Sequence, residues 1–151
     1  MTANILYVDD EPHNLGAFSA TFRRLYKVFT AESAEEGRKI LDVEDIQVII
    51  TDQRMPKTTG VEFLASILDK HPEPIRMILT GYTDIDAVID AINKGQVYRY
   101  IQKPWMEEDL RINIDKAIEI YTLRKENREL TEKLLVANQQ LEFIARQSLL
   151  S

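Results

Sequence analysis

Five short Val- and Ile-rich runs, at residues 5–8, 26–29, 48–50, 75–79 and 97–101, are separated by stretches whose apolar residues recur at helical spacing. This alternation constrains the fold more than any other feature of the chain. Runs that do not alternate strictly with polar residues suit strands buried on both faces. Between them, residues 14–25 carry Leu15, Phe18, Phe22 and Leu25 on one helix face, and residues 60–70 carry Val61, Leu64, Ile67 and Leu68. Residues 84–94 carry Ile85, Val88, Ile89 and Ile92, with Gly95 as a C-terminal stop. Ser33-Ala34-Glu35-Glu36 has the form of a capping box ahead of Ile40 and Leu41. Strands alternating with helices at this spacing predict a doubly wound α/β domain, a parallel sheet with helices on both faces and right-handed crossovers. The chain of 151 residues has room for one such domain and a small appendage.

In sheets of this kind polar chemistry collects at the carboxyl ends of the strands, near the point where strand order reverses. The first run ends in Asp9-Asp10, and the third ends in Asp52, within VIITDQRMP. Thr80 ends the fourth, in MILTG, and Lys103 follows the fifth, in YIQKP. Five polar groups on four strands therefore converge on one end of the sheet. Three carboxylates a few ångströms apart repel one another and stay ionised together only with a cation among them. A hard divalent cation that prefers oxygen ligands suits such a place, and Mg²⁺ is the usual one. Lys103 adds a fixed positive charge. A carboxylate nucleophile, a metal and a cation together make a phosphoryl-transfer site, where the protein positions groups and neutralises charge on the equatorial oxygens. Attack by a carboxylate on phosphorus gives an acyl phosphate, and the Thr80 hydroxyl can hydrogen-bond a phosphoryl oxygen. Taken singly, each residue has a plainer role. Asp at a strand end is commonly a turn former or cap, and Asp9-Asp10-Glu11-Pro12 can simply start a helix. Thr80 can be a cap, Lys103 a solvated charge and Tyr100 a half-exposed ring. Unrelated turn formers, however, do not fall into one phosphoryl-transfer constellation.

The motifs VDDEP, TDQRMP, LTGY and IQKPW, in this order and spacing, resemble the receiver domain of two-component response regulators over roughly residues 3–120. The resemblance implies a flavodoxin-like, five-stranded parallel sheet of strand order 2-1-3-4-5. It implies that Asp52 accepts a phosphoryl group from a phosphohistidine on a sensor histidine kinase or phosphotransfer protein. Asp9 and Asp10 then match the family's acidic pair, with Asp10 a direct Mg²⁺ ligand and Asp9 acting mainly through water. Asp52 also binds the metal, and the backbone carbonyl of Arg54 completes the protein ligands. Lys103 would hold the phosphoryl group, with Lys103-Pro104 a cis peptide, and Thr80 and Tyr100 match the switch pair. Arg54 and Tyr82 lie two residues after Asp52 and Thr80 and border the path of the attacking water, so their bulk implies slow hydrolysis. An aspartyl phosphohydrolase of the haloacid-dehalogenase type is an alternative with the same nucleophile, but it needs a carboxylate where Arg54 stands. A phosphorylation-independent interaction module is the other alternative. The intact set of Asp9, Asp10, Asp52, Thr80 and Lys103 weighs against it.

The formal net charge of −6 argues against a direct nucleic-acid contact by these residues. With no cysteine, disulfide and thiolate chemistry are excluded, which fits a cytoplasmic protein. Neither a signal peptide nor a membrane span is legible. His13 and His71 lack metal-like or catalytic spacing and read as surface or helix-start residues. Trp105 reads as the anchor of the last helix.

A receiver spans residues 1–118 on this reading, and residues 119–151 form a helical extension without Gly or Pro. Ile120, Leu123, Asn127, Leu130, Leu134, Ala137, Leu141 and Ile144 follow one another at alternating steps of three and four. This is a heptad seam, with Ile120, Asn127, Leu134 and Leu141 at a and the others at d. Asn127 at an a position selects a parallel, in-register pair, so the expected state is a parallel homodimer switched through this helix. Leu135, Val136 and Phe143 lie off the seam and keep open a helix folded back on the domain. An effector domain is expected beyond the tail. The forms DQRMP and KPW resemble receivers joined to HD-type cyclic-dinucleotide phosphodiesterases, nucleotide cyclases, PP2C-like phosphatases or ATPase-type transcription activators. No helix-turn-helix, Walker loop or H-D pair is present in these residues.

Overall fold

A computed structural model describes residues 2–150; Met1 and Ser151, the outer bounds of the two segments expected above, lie outside the described residues. The elements are β1 (Asn4–Val8), α1 (Pro12–Phe22), β2 (Lys27–Ala31), α2 (Ala34–Val43), β3 (Val48–Asp52), α3 (Gly60–Ile67), β4 (Ile75–Thr80), α4 (Ile85–Asn93), β5 (Arg99–Gln102) and α5 (Glu107–Leu150), with a single 3₁₀ turn at Tyr82–Asp84 before α4. All strand pairs are parallel, and the order is β2-β1-β3-β4-β5. The doubly wound, flavodoxin-like sheet with a long C-terminal helix is thus as expected.

Because side chains alternate along a strand, the sheet carries two cores. Ile5, Tyr7, Val48, Ile50, Met77 and Leu79 face α1 and α5, where they meet Phe18, Phe22, Leu110 and Ile114. Leu6, Val8, Ile49 and Ile78 face the other way, onto Leu41, Phe63, Leu64 and Val88 of α2, α3 and α4. Phe18, Phe22 and Phe63 are fully buried, and each such side chain stabilises the fold by about 1.5–3 kcal/mol.

Several boundaries differ from the sequence expectation. Tyr26 precedes β2 rather than opening it. Its ring lies tilted against Phe22, centroids 6.1 Å apart, and its hydroxyl donates to Asp115 of α5. β2 is an edge strand, which is why it tolerates Lys27. Leu25 falls beyond the end of α1 and is half exposed. In α3 the buried face is Phe63, Leu64 and Ile67, and in α4 Val88 and Ala91 are buried while Ile89 is 40% exposed. Ser33 caps α2 by accepting from the Glu36 backbone N–H at 3.2 Å, but the Glu36 carboxylate takes the N–H of Glu32 instead of Ser33, so the box does not close. The closed capping box is at α3, between Thr59 and Glu62. Gly95 ends α4 with φ of 75°, as expected for a left-handed stop. Arg76, inside the fourth apolar run, is buried with its guanidinium donating to the carbonyls of Pro72, Pro74, Gly95 and Gln96.

α5 is one unbroken helix of 44 residues, about 66 Å long. Its first turns bury Leu110, Ile114 and Ala117, and Tyr121 lines a cavity together with Ile46 and Pro74, which precede β3 and β4. The helix therefore leaves the domain at the edge opposite the strands' carboxyl ends. Beyond that edge it stands clear of the sheet: Leu123, Leu130, Leu134, Leu141 and Ile144 are each more than half exposed, as are Leu135, Val136 and Phe143. The folded-back arrangement is not adopted.

Candidate functional site

The carboxyl ends of β1 and β3 meet through their own pairing, which runs to Val8 and Thr51, and backbone bonds carry the β1–β2, β3–β4 and β4–β5 pairings one residue further. Asp9 N–H donates to Ala31 O, Gln53 N–H to Leu79 O and Lys103 N–H to Thr80 O. Asp9, Asp10, Asp52, Thr80 and Lys103 are thereby brought to one end of the sheet. Carboxylate oxygens of Asp9, Asp10 and Asp52 all lie within 4.8 Å of one another. The Lys103 ammonium pairs with Asp52 Oδ1.

The two acids of the β1 end play different parts. Asp9 is buried, and its oxygens accept from Tyr7 Oη at 2.7 Å, the Glu11 N–H at 3.0 Å and Asn14 Nδ2 at 3.1 Å. Asp10 is exposed and has no hydrogen bond or ion pair among the described residues. Burial, the hydrogen bond to Asp9 and the charges of Asp9 and Asp52 push the Tyr7 hydroxyl far above its ordinary range, so it remains a neutral donor. Burial also raises the Asp52 carboxyl above the usual carboxylate range. Lys103 opposes this by hydrogen bond and charge, while Asp9 and Asp10 push it further up.

Hard oxygen donors of this number and spacing fit Mg²⁺. The free carboxylate is Asp10, whereas Asp9 has its lone pairs engaged by three donors. This division suits one direct ligand and one that acts at a remove. Thr80 is buried and its hydroxyl donates to the Gly81 carbonyl at 3.2 Å. Tyr100 on β5 is half-buried against the core on the α2–α4 side. The Lys103-Pro104 peptide is cis. The Arg54 side chain donates to Thr83 and Asp84, and Tyr82 is 81% exposed.

His13 is exposed, and His71 pairs with Asp42 at 2.9 Å, far from the cluster in sequence and bonded elsewhere. Trp105 packs on Phe22 and Phe18, centroids 5.7 and 6.3 Å apart, and anchors the start of α5. Four supporting residues escaped the sequence reading: Tyr7, Asn14, Gln53 and Gly60. Gln53 Oε1 accepts the Val61 N–H at 2.9 Å and the Gly60 N–H donates to Gln53 O, which fixes the loop after Asp52 to the start of α3. The signal for Tyr7 was available, since it lies two residues before Asp9 on the same strand face.

Residues 5–115 match the family model of the response regulator receiver domain. The hydrogenase transcriptional regulatory protein HoxA of Cupriavidus necator is 36% identical over 149 residues, covering 99% of this chain and 31% of that protein. The transcriptional regulatory protein GlrR of Escherichia coli is 34% identical over 121 residues, covering 78% of this chain and 26% of that protein. The chain thus spans less than a third of the length of either. A solved structure described as an adenylate cyclase from Rhodopirellula baltica is similar with a TM-score of 0.85 and 30% identity, covering 88% of this chain and 99% of that one. A response regulator receiver domain protein from Clostridium thermocellum gives a TM-score of 0.75 and 36% identity, covering 80% of this chain and 98% of that one.

Proposed function

The chain belongs to the response regulator receiver domain family, and from that premise we propose that Asp52 accepts a phosphoryl group from a sensor histidine kinase or phosphotransfer protein. An Asp52 carboxylate oxygen attacks the phosphorus of a phosphohistidine. The new P–O bond forms as the P–N bond breaks, and its electron pair stays on the imidazole nitrogen, which leaves as a neutral ring when the other nitrogen is protonated. Asp10, Asp52 and the backbone carbonyl of Arg54 would hold Mg²⁺ directly, with Asp9 acting through water. When bound, Mg²⁺ offsets the charge gathering on the carboxylates and the phosphoryl oxygens. Lys103 takes a phosphoryl oxygen, and Thr80 turns its hydroxyl from Gly81 to another. Tyr100 follows inward, which makes the domain a switch and not a turnover enzyme.

The observation that supports this most is the pairing of Lys103 with a buried Asp52 beside two further carboxylates. The test is incubation with phosphoramidate and Mg²⁺ followed by intact-mass spectrometry. One phosphoryl adduct is expected on the native chain and none on Asp52→Asn; an equal adduct on both would sink the assignment.

The same proposal extends to the tail. Residues 1–118 act as the receiver, and residues 119–151 pair in parallel with a second copy through Ile120, Leu123, Asn127, Leu130, Leu134, Ala137, Leu141 and Ile144. The exposure of Leu123, Leu130, Leu134, Leu141 and Ile144 supports the pairing, while Ile120 is half-buried against the receiver core. The coil would pass the state of the receiver to an effector beyond it. A cytoplasmic location belongs to this proposal and rests on the family; no helix among the described residues is long and apolar enough to cross a membrane.

A further inference from the structure

We propose that Arg54 is a shared cation, held by Asp84 and Thr83 in the resting protein and passed to the phosphoryl group once Asp52 carries one. The inference rests on Asp52 being the acceptor, as proposed above.

Arg54 Nη2 donates to Thr83 Oγ1 at 3.2 Å and to Asp84 Oδ1 at 3.3 Å. Thr83 and Asp84 belong to the 3₁₀ turn that follows Thr80 and Gly81 and leads into α4. Little else holds that turn. Tyr82 is exposed. The Asp84 N–H reaches the Gly81 carbonyl only at 3.4 Å, and a Cβ on Gly81 would meet no atom within 4 Å. Among the described residues, Arg54 makes the only side-chain hydrogen bonds and ion pair that tie the turn to another element. The loop that follows Asp52 is thus fastened, through one side chain, to the turn that follows Thr80.

The fastening is built to be lost. The Arg54 side chain is 74% exposed and that of Asp84 28%, and an exposed pair of this kind biases an equilibrium by only about threefold. The Cα atoms of residues 52 and 54 lie at most about 7 Å apart, so an arginine side chain spans the gap to a group on Asp52. A phosphoryl group offers more negative charge than one carboxylate, and its oxygens match the planar guanidinium fork. Arg54 then leaves Asp84 for the new anion. This frees the Tyr82–Asp84 turn and the start of α4 to move when Thr80 turns, and it places a cation beside the phosphorus. Arg54 is accordingly a positioning residue for the phosphoryl group and a release for the turn.

The test uses the full chain with Arg54→Gln, Asp84→Asn and both together. In the unphosphorylated protein, amide hydrogen exchange across residues 82–85 should quicken about threefold in each single variant, with no further gain in the double. Unchanged exchange in the singles, or additive effects in the double, overturns the resting tie. The second arm follows the lifetime of the adduct made with phosphoramidate and Mg²⁺. In hydrolysis water adds to phosphorus, the P–O bond to Asp52 breaks, and the carboxylate and inorganic phosphate separate. Arg54→Gln should change this lifetime by about threefold or more, while Asp84→Asn leaves it unchanged and raises the rate of adduct formation. Equal lifetime changes in both variants would reduce Arg54 to a loop tether and overturn the transfer. No adduct on the native chain removes the reading beneath the proposal and the transfer with it, whereas an adduct with unchanged lifetimes removes the transfer alone.

Discussion

A Cβ on Gly60 would come within 2.5 Å of the backbone carbonyl oxygen of Asp52, and within 3.1 Å of Gln53 Cα and Thr51 Cγ2. The start of α3 is pressed against the backbone of Asp52, and backbone cannot yield as a flexible side chain can. Gly60→Ala should therefore cost about 1–3 kcal/mol in urea denaturation and also slow adduct formation at Asp52. Gly16→Ala, where a Cβ meets nothing within 4 Å, should do neither. A Gly60→Ala protein with native stability and native phosphorylation would show that the close approach has no bearing on the site.

The buried acid should also be visible in the pH dependence of stability. Asp52 is raised in the folded protein by burial and by its acidic neighbours, so the native state holds its proton to higher pH than the unfolded chain does. Stability then falls as pH rises through the ordinary aspartate value of about 3.9 and on to the folded value, and the penalty is complete above that. Asp52→Asn lacks this penalty. In Mg²⁺-free buffer the variant should gain more over the native protein at neutral pH than near pH 4. Adding Mg²⁺ at neutral pH should stabilise the native protein more than the variant. Chemical denaturation at several pH values checks both, and an equal difference at all of them would contradict the raised acid.

Tyr7 should be a support with a separable effect. Its hydroxyl, neutral across the working range, is one of three donors on buried Asp9. Tyr7→Phe keeps the ring stacked on Phe18, centroids 4.3 Å apart, and removes only the donor. Leaving a buried carboxylate short of one bond costs about 1–3 kcal/mol. The expected outcome is a lower denaturation midpoint and weaker Mg²⁺ dependence of adduct formation, because Asp9 is no longer held in place.

The gathering of Asp52 with Asp9, Asp10, Thr80 and Lys103 was legible in the sequence because each sits at or just past the end of an apolar run, and a strand's end is a positional statement that survives an error of a residue or two. Helix faces were less legible. Leu25 and Ile89 obey helical spacing yet lie in the open: Leu25 falls past the end of α1, and Ile89 shares a helix with Ala91, which packs where it does not. Residue types suggest a capping box at Ser33, but the box that closes is Thr59 with Glu62, since closure depends on backbone geometry. Gly60 and the Arg54 tie were illegible because both depend on how separate segments of the chain pack together. Arg54 and Asp84 are 30 residues apart, and nothing local to either marks the other.

The tail carries the last prediction. An isolated helix gains little from its own hydrogen bonds, so most helical stability comes from packing an apolar face. Beyond Tyr121 the domain offers α5 no such face, and the apolar row from Leu123 to Ile144 stands exposed. A second copy in register supplies the missing face. The first free turns add charge complementarity, since Glu119 at g and Arg124 at e are opposite in sign across a parallel pair. Sedimentation at micromolar concentration should give a dimer for the full chain and a monomer for residues 1–121. Leu134→Lys, on the seam, should dissociate the pair, while Val136→Lys, off the seam and 52% exposed, should leave it intact. Asn127→Leu should keep the association but loosen its choice of register and copy number. A monomeric full chain would remove the pairing altogether, and a dimer that persists in residues 1–121 would move the interface off the helix and onto the receiver.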